Sequence, residues 1–310
     1  MRVRESLSRD VLRLVVWYPL RLLVERLPVA AGLAVLRQLG RLHHALSRGR
    51  AKATAAAIAR VSPGLDAPAV RAETEAAFVT HYVNQLSIFL FPNLTRDTLG
   101  ELLEVEGVTH LDAALAAGRG AVMPIGHFGP TQLPLAALGR LGYPMLQIGF
   151  QNDAGLSFIG RHVAFRLRLA YEARIPARIV PPGPGTRLAI AHLRAGGVVM
   201  TTADDGPGQP PFGRHAVFDF PGGALGVPLG PARLALRTGA GLVPAFLSPG
   251  ARAPYRLTIA PPITPPQGAD RDAAALLMTR TFFDAYAAAV TTHPGWWHGL
   301  LEHKGQGAGK

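Results

Sequence analysis

The segment of this sequence with the most chemical promise runs from residue 118 to 142, GRGAVMPIGHFGPTQLPLAALGRLG. AVMPI at 121–125 reads as a buried strand, and Gly126-His127-Phe128-Gly129-Pro130 as a turn. A helix is expected from about Thr131, a good cap residue, with Leu133, Leu135, Leu138 and Leu141 on its apolar face. His127 then sits at the carboxyl end of a strand, just ahead of a helix N-terminus. Open α/β sheets place ligands there, and backbone N–H groups are at hand to hold an oxyanion. An imidazole titrates near neutral pH and suits general base work. A structural histidine is the competing reading of the same residue.

Other chemistries are excluded by what is missing. The 310 residues include no cysteine, which removes thiolate nucleophiles, disulfides, Cys-based zinc sites and iron–sulfur clusters. There is no Gly-x-Ser-x-Gly elbow, no His-Glu-x-x-His helix and no P-loop lysine. Gly183-Pro184-Gly185 and Gly206-Pro207-Gly208 lack a third glycine at dinucleotide spacing and read as turns. His43-His44 and His298…His303 have no carboxylate at ligand spacing, so solvated or interfacial histidines are expected there and no metal site.

The elements that must position His127 follow from the hydrophobic pattern. Residues 51–90 read as helical with a break at Ser62-Pro63-Gly64. From about residue 100, strands are expected at 121–125, 144–150, 198–203, 242–247 and 255–260. Helices are expected at 109–118, 131–141, 156–172, 186–195, 231–239 and 270–291. Apolar strands alternating with helices argue an α/β fold whose sheet is covered by helices on both faces. Residues 204–230 are dense in Gly and Pro and too long for an ordinary connection, which suggests a functional loop. The tail at 304–310 reads as frayed.

Charge divides the chain further. Net charge is +12, and residues 1–60 carry +9 of it, with twelve Arg or Lys against Glu5, Asp10 and Glu25. The same segment is strongly apolar, VLRLVVWYPLRLLVERLPVAAGLAVLRQLGRL at 11–42. Residues 1–50 therefore read as basic amphipathic helices lying on an anionic membrane surface, with Trp17 and Tyr18 in the headgroup layer; a helix pair packed on the protein's own core and a single tilted N-terminal anchor are the competing readings. Residues 51–303 read as the α/β domain. Arg21, Glu25, Arg26, Pro19 and Pro28 interrupt any spanning helix or secretory h-region. Aromatic interleaving expected of a single-strand groove is missing, so nucleic acid is not expected as a partner.

Several blocks together resemble the bacterial lipid A biosynthesis (late) acyltransferases and their relatives that acylate phosphatidylinositol mannosides. His127-Phe128-Gly129-Pro130-Thr131-Gln132 is similar to the family's His-x₄-acid motif, with Gln132 in the acid's place. Leu193-Arg194-Ala195-Gly196-Gly197-Val198-Val199 followed by Asp204-Asp205 is similar to a second block. Phe220-x-Gly222, Pro228-x-Gly230-Pro231-Ala232-Arg233, and His293-Pro294-Gly295-Trp296-Trp297 complete the series in the right order. Residues 147–152 lack the Arg-Pro usual in the family.

The resemblance implies a glycerolipid/lysophospholipid acyltransferase-like fold. It also implies transfer of a fatty acyl group from an acyl carrier protein or coenzyme A thioester to a hydroxyl of a (glyco)lipid, at the inner face of the cytoplasmic membrane, without a cofactor. His127 would be the general base. Gln132 could fix its tautomer but not offset its charge. Asp204 or Asp205 are then the favoured carboxylates, Glu172 a weaker third, and turn or cap chemistry their competing role. Phe128, Gly129, Arg194, Gly230 and Arg233 are the expected substrate contacts. Open alternatives are acyl transfer to a secondary-metabolite hydroxyl or amine, a lipid-binding relative impaired by Gln132, and an introduced Gln132 that traps a complex.

Overall fold

The computed structural model describes residues 7–151, 153, 155–205, 211–301 and 303. The turn expected at Gly206-Pro207-Gly208 and the frayed tail at 304–310 lie outside the described residues. Ten strands are present among them: β1 (Leu103–Glu106), β2 (Ala121–Ile125), β3 (Met145–Ile148), β4 (Ala177–Val180), β5 (Val198–Thr202), β6 (His215–Phe220), β7 (Gly223–Pro228), β8 (Gly241–Leu242), β9 (Ala245–Pro249) and β10 (Tyr255–Ile259). A parallel five-stranded sheet has the order β4-β3-β5-β2-β8. A second sheet, β1-β10-β9, pairs β10 parallel to β1 and antiparallel to β9.

Side chains alternate across a strand, so successive residues of the main sheet enter opposite cores. Val122, Leu146, Val199 and Leu242 pack against Ala189 and Leu193 of helix Gly185–Arg194 and against Ala232 and Ala235 of helix Gly230–Thr238. Ala121, Met123, Met145, Val198 and Met200 face the other way, into a larger core that includes Leu135 and Leu138 of helix Leu133–Leu141. Both faces are thus covered by helices, as the pattern of apolar runs requires.

Three expectations need correction. The strand expected at 242–247 is two: β8 pairs with β2 and β9 with β10, and the chain changes sheet at Val243-Pro244, where proline has no N–H to continue a ladder. The loop expected over 204–230 contains a hairpin, β6–β7. It turns on Pro221-Gly222, with Gly222 at φ +81°, as a type II turn demands. The helix after the His127 turn begins at Leu133, not Thr131, and Gln132 is its N-cap residue without a side-chain cap bond.

The N-terminal helices Leu7–Val15, Arg21–Arg26, Val29–Leu46, Arg48–Val61 and Ala67–Leu86 are packed on the α/β body. Val24, Leu33 and Leu36 belong to the same core as the sheet. Trp17, expected in a headgroup layer, is buried edge-on against Phe89 at 5.0 Å. Helices Val29–Leu46 and Ala67–Leu86 touch at Gly40, where a Cβ would lie 2.6 Å from the Val79 Cα. Helix Arg48–Val61 runs straight across the boundary drawn at residue 50. No described helix is long and apolar enough to cross a membrane.

Candidate active site

Register alone brings the first two site residues together. β2 and β5 are parallel neighbours with Ile125 opposite Thr202. His127 and Asp204 each lie two residues past that pair, at the carboxyl end of the sheet. Asp204 Oδ1 accepts the His127 backbone N–H at 2.8 Å and lies 2.9 Å from the ring Nδ1. The other oxygen, Oδ2, accepts the Tyr286 hydroxyl at 2.7 Å. Asp204 is almost wholly buried, and a buried carboxylate demands such partners.

Tyr286 comes from the long helix Arg271–Thr292, and its ring lies where any side chain on residue 126 would be. A Cβ on Gly126 would come within 2.0 Å of that ring, so only glycine lets the turn pass. The chain segment after this helix straps the His127 turn from outside. Gly129 N–H donates to the Trp296 carbonyl at 2.9 Å, and His298 N–H to the His127 carbonyl at 3.0 Å. His298 Nε2 donates to the Gly129 carbonyl at 2.7 Å.

His127 is not on an exposed turn; its side chain is 17% exposed. Burial pushes its pKa down, but the charge and hydrogen bonds of Asp204, with Asp205 behind, prevail and raise it above the ordinary 6.5. With Nδ1–H on Asp204, Nε2 is the ring nitrogen left for the cleft, and it has no hydrogen-bond partner among the described residues. His298 behaves oppositely: burial takes it down to about 4, against the Gly129 carbonyl, so it stays neutral.

The cleft that His127 lines has a volume of about 1110 Å³, enough for a lipid-sized ligand by comparison with ordinary pockets of ~300–1,000 Å³. Gln132, Asp204, Asp205, Gly230 and Arg233 also line it. Gln132 does not reach His127 by a hydrogen bond. Its Nε2 donates to Glu172 Oε1 at 3.2 Å, beside Arg168 Nε at 2.8 Å, while Gln151 Nε2 donates to Oε2 at 2.6 Å. Asp205 is engaged by His215 Nε2 at 3.0 Å.

Three expected substrate contacts are placed elsewhere. Phe128 is core, packed between Tyr286 and Trp296, because the turn points alternate side chains to opposite sides. Gly129 is off the cleft at φ +65°, its carbonyl taken by His298. Arg194 is exposed at the far end of helix Gly185–Arg194, away from the cleft. Of the histidines expected to be solvated or interfacial, His303 is buried against Phe220 and Trp297, while His298 is partly buried against the His127 turn.

Sequence reasoning missed Tyr286, Asn84 and His298. Asn84 Oδ1 accepts both the N–H and the hydroxyl of Thr131 at 3.0 Å, fixing the end of the turn. No local pattern marks Tyr286 or Asn84. His298 had a signal, its position just after the Trp296-Trp297 block. Among the described residues, no group of three or more His, Asp or Glu is placed to hold a metal.

Comparison with known proteins adds an independent line. The family model described as "Bacterial lipid A biosynthesis acyltransferase" matches residues 8–303. A phosphatidylinositol mannoside acyltransferase of Mycolicibacterium smegmatis is 30% identical over 220 residues, covering 68% of this chain and 66% of that protein. One of Mycobacterium tuberculosis (strain CDC 1551 / Oshkosh) is 28% identical over 233 residues, 69% of this chain and 64% of that protein. The chain thus spans slightly under two thirds of the length of these relatives. A crystal structure of the 1-acyl-sn-glycerophosphate acyltransferase PlsC from Thermotoga maritima aligns over 89% of this chain and 97% of that one, at 14% identity and TM-score 0.37.

Proposed function

Since the chain belongs to the bacterial lipid A biosynthesis acyltransferase family, we propose that it moves a fatty acyl group from a coenzyme A or acyl carrier protein thioester to a hydroxyl of a glycolipid acceptor, with His127 as general base. The observation that carries this reading is the His127–Asp204 pair at the floor of a large cleft, with Nδ1 held and Nε2 directed to the ligand space. Nε2 takes the proton of the acceptor hydroxyl as its oxygen attacks the thioester carbonyl. The tetrahedral intermediate collapses, the C–S bond breaks, and the imidazolium returns the proton to the leaving thiolate. Asp204 keeps the productive tautomer and offsets the imidazolium charge, the service an acid gives histidine in the serine-protease triad. Tyr286 holds Asp204 in place. No covalent acyl-enzyme is required, which suits a cysteine-free chain.

The acceptor class is supported by the relatives that the chain matches, which are named for phosphatidylinositol mannosides. Membrane association is supported by an exposed apolar stripe on the first helices. Leu7, Val11, Val15, Tyr18 and Leu22 are all exposed, at near-helical spacing. Phe158 is exposed on the helix against which this one docks, through Arg13 and Ser157. Association would be peripheral.

The test is thioester consumption by the purified protein with phosphatidylinositol mannoside as acceptor, alongside His127→Ala. Loss of about 10²–10⁴ in kcat/KM with the fold retained is expected for removal of a general base. A well-folded alanine variant with near-normal turnover would remove His127 from the mechanism.

A further inference from the structure

We propose that Arg214, Arg233, Arg237 and Arg271 form a binding site for a phosphate ester in the wall of the same cleft. All four line it, and they come from three separate elements. Arg214 precedes β6, Arg233 and Arg237 lie one turn apart on helix Gly230–Thr238, and Arg271 begins helix Arg271–Thr292.

Two of them converge on one carboxylate: Asp272 Oδ2 is 3.1 Å from Arg214 Nη1, and Oδ1 is 2.5 Å from Arg233 Nη1. Arg237 and Arg271 make no ion pair with any described residue. Asp272 and the helix-capping Asp270 set two acids against four cations, which leaves this wall at +2. Residues 61–310 carry only +3 in total, so the cluster is not a by-product of a generally basic surface.

The fold does not need these charges. The Asp272 side chain is 65% exposed, and exposed ion pairs stabilise little. The two helices are joined instead by Ala232, Ala235, Ala275 and Met278 in the apolar core. Gathering like charges is unfavourable, and an anion relieves it. Guanidinium forks match phosphate oxygens two bonds at a time.

The cluster is separate from the reacting groups yet shares their wall. Arg214 adjoins His215, His215 bonds Asp205, and Asp205 adjoins Asp204. None of the four arginines bonds His127 or Asp204. The site therefore anchors a phosphate covalently attached to a substrate whose reacting atoms lie at His127. All four line the cleft that holds His127, which favours a small ester entering from its mouth over a carrier protein's helix. Two esters have this chemistry: the nucleotide phosphates of a coenzyme A donor, and the phosphodiester of a phosphoinositol acceptor. Their identity rests on the acyltransfer reading; the existence of the site does not.

The test measures affinity by calorimetry for coenzyme A, dephospho-coenzyme A, pantetheine, glycerophosphoinositol and acyl carrier protein. Wild type is compared with the triple variant Arg214→Gln/Arg237→Gln/Arg271→Gln and with Asp272→Asn. The triple variant should bind one phosphate ester at least tenfold more weakly and leave pantetheine unchanged. Asp272→Asn should bind the same ester several-fold more tightly, because it removes the competing carboxylate. Loss confined to coenzyme A assigns the donor; loss confined to glycerophosphoinositol assigns the acceptor. Failure of wild type to bind either ester, or unchanged affinities in both variants, overturns the proposal. So does a loss seen only with acyl carrier protein, which would make the cluster a protein-docking surface. Should the wild-type protein consume no thioester with any acceptor, the acyltransfer reading falls while these affinities still decide the site.

Discussion

At the scale of single residues, the His127–Asp204 pair has a signature in pH. The general base proposed at His127 works unprotonated, and the folded protein raises the pKa of this ring. The rate should therefore climb with pH through a limb lying above 6.5. Asp204→Asn removes the charge and leaves burial to dominate, so the limb should move below 6.5 while the maximum rate drops by about 10²–10⁴. A variant whose limb stays in place would dissociate Asp204 from the titration. Gln132 is a different case. A glutamate there would face the buried Glu172 carboxylate, not His127, and like carboxylates that share a site cannot both ionise cheaply. Gln132→Glu should lower stability by about 1–3 kcal/mol at neutral pH, by loss of a buried hydrogen bond, and recover part of it in acid. Urea midpoints at pH 7 and pH 5 check this; a gain in turnover with unchanged stability would contradict it.

At the scale of elements, the strap formed by residues 293–298 over the His127 turn has its own titration. His298 sits near 4 when folded and near 6.5 when free, so the unfolded chain takes up the proton first. Stability is then lost as pH falls from 6.5 towards 4, by up to about 3 kcal/mol. His298→Gln keeps a donor for the Gly129 carbonyl and removes the proton uptake. Its stability should fall less steeply over that window, measured by urea midpoints at half-unit intervals. The strap was only partly legible in the sequence. β2 and β5 could be read because both are continuous apolar runs, and the turn after β2 placed His127 at a strand end. Asp204 came into view through the order of the blocks, because its pairing with His127 depends on strand register. β1 and β4, at four residues each with exposed positions, offer no periodicity long enough to detect, and β6–β7 hides in Gly/Pro-rich sequence. Tyr286 is 82 residues from Asp204 on an Ala-rich helix, where only packing singles it out. Phe128 was misread because a strand-end turn alternates: the residue beside a cleft-facing one faces the core.

At the scale of the whole molecule, the N-terminal helices bear an apolar face that the protein itself leaves uncovered, with Leu7 81% exposed. Their opposite face belongs to the core, so removing the whole segment would unfold the chain and test nothing about membranes. Substituting Leu7, Val11 and Val15 together by serine spares the core. It should weaken binding to anionic vesicles by about a hundredfold or more, at ~1–2 kcal/mol per apolar side chain taken out of the bilayer surface; undiminished sedimentation with vesicles would place the lipid contact elsewhere. The inner face of these helices meets the body at Tyr171. Its hydroxyl donates to Glu25 and accepts from Arg21, and the next residue, Glu172, is the carboxylate that holds Gln132 and Gln151 in the cleft wall. A single peptide bond thus separates the joint that seats the helices bearing the exposed apolar stripe from the joint that shapes the cleft wall. Expressed kinetically, landing on lipid and turning over should not be independent steps. Velocity should follow the mole fraction of acceptor in mixed micelles at constant bulk concentration, and Tyr171→Phe should blunt that surface-dilution response more than it lowers the velocity at high surface density.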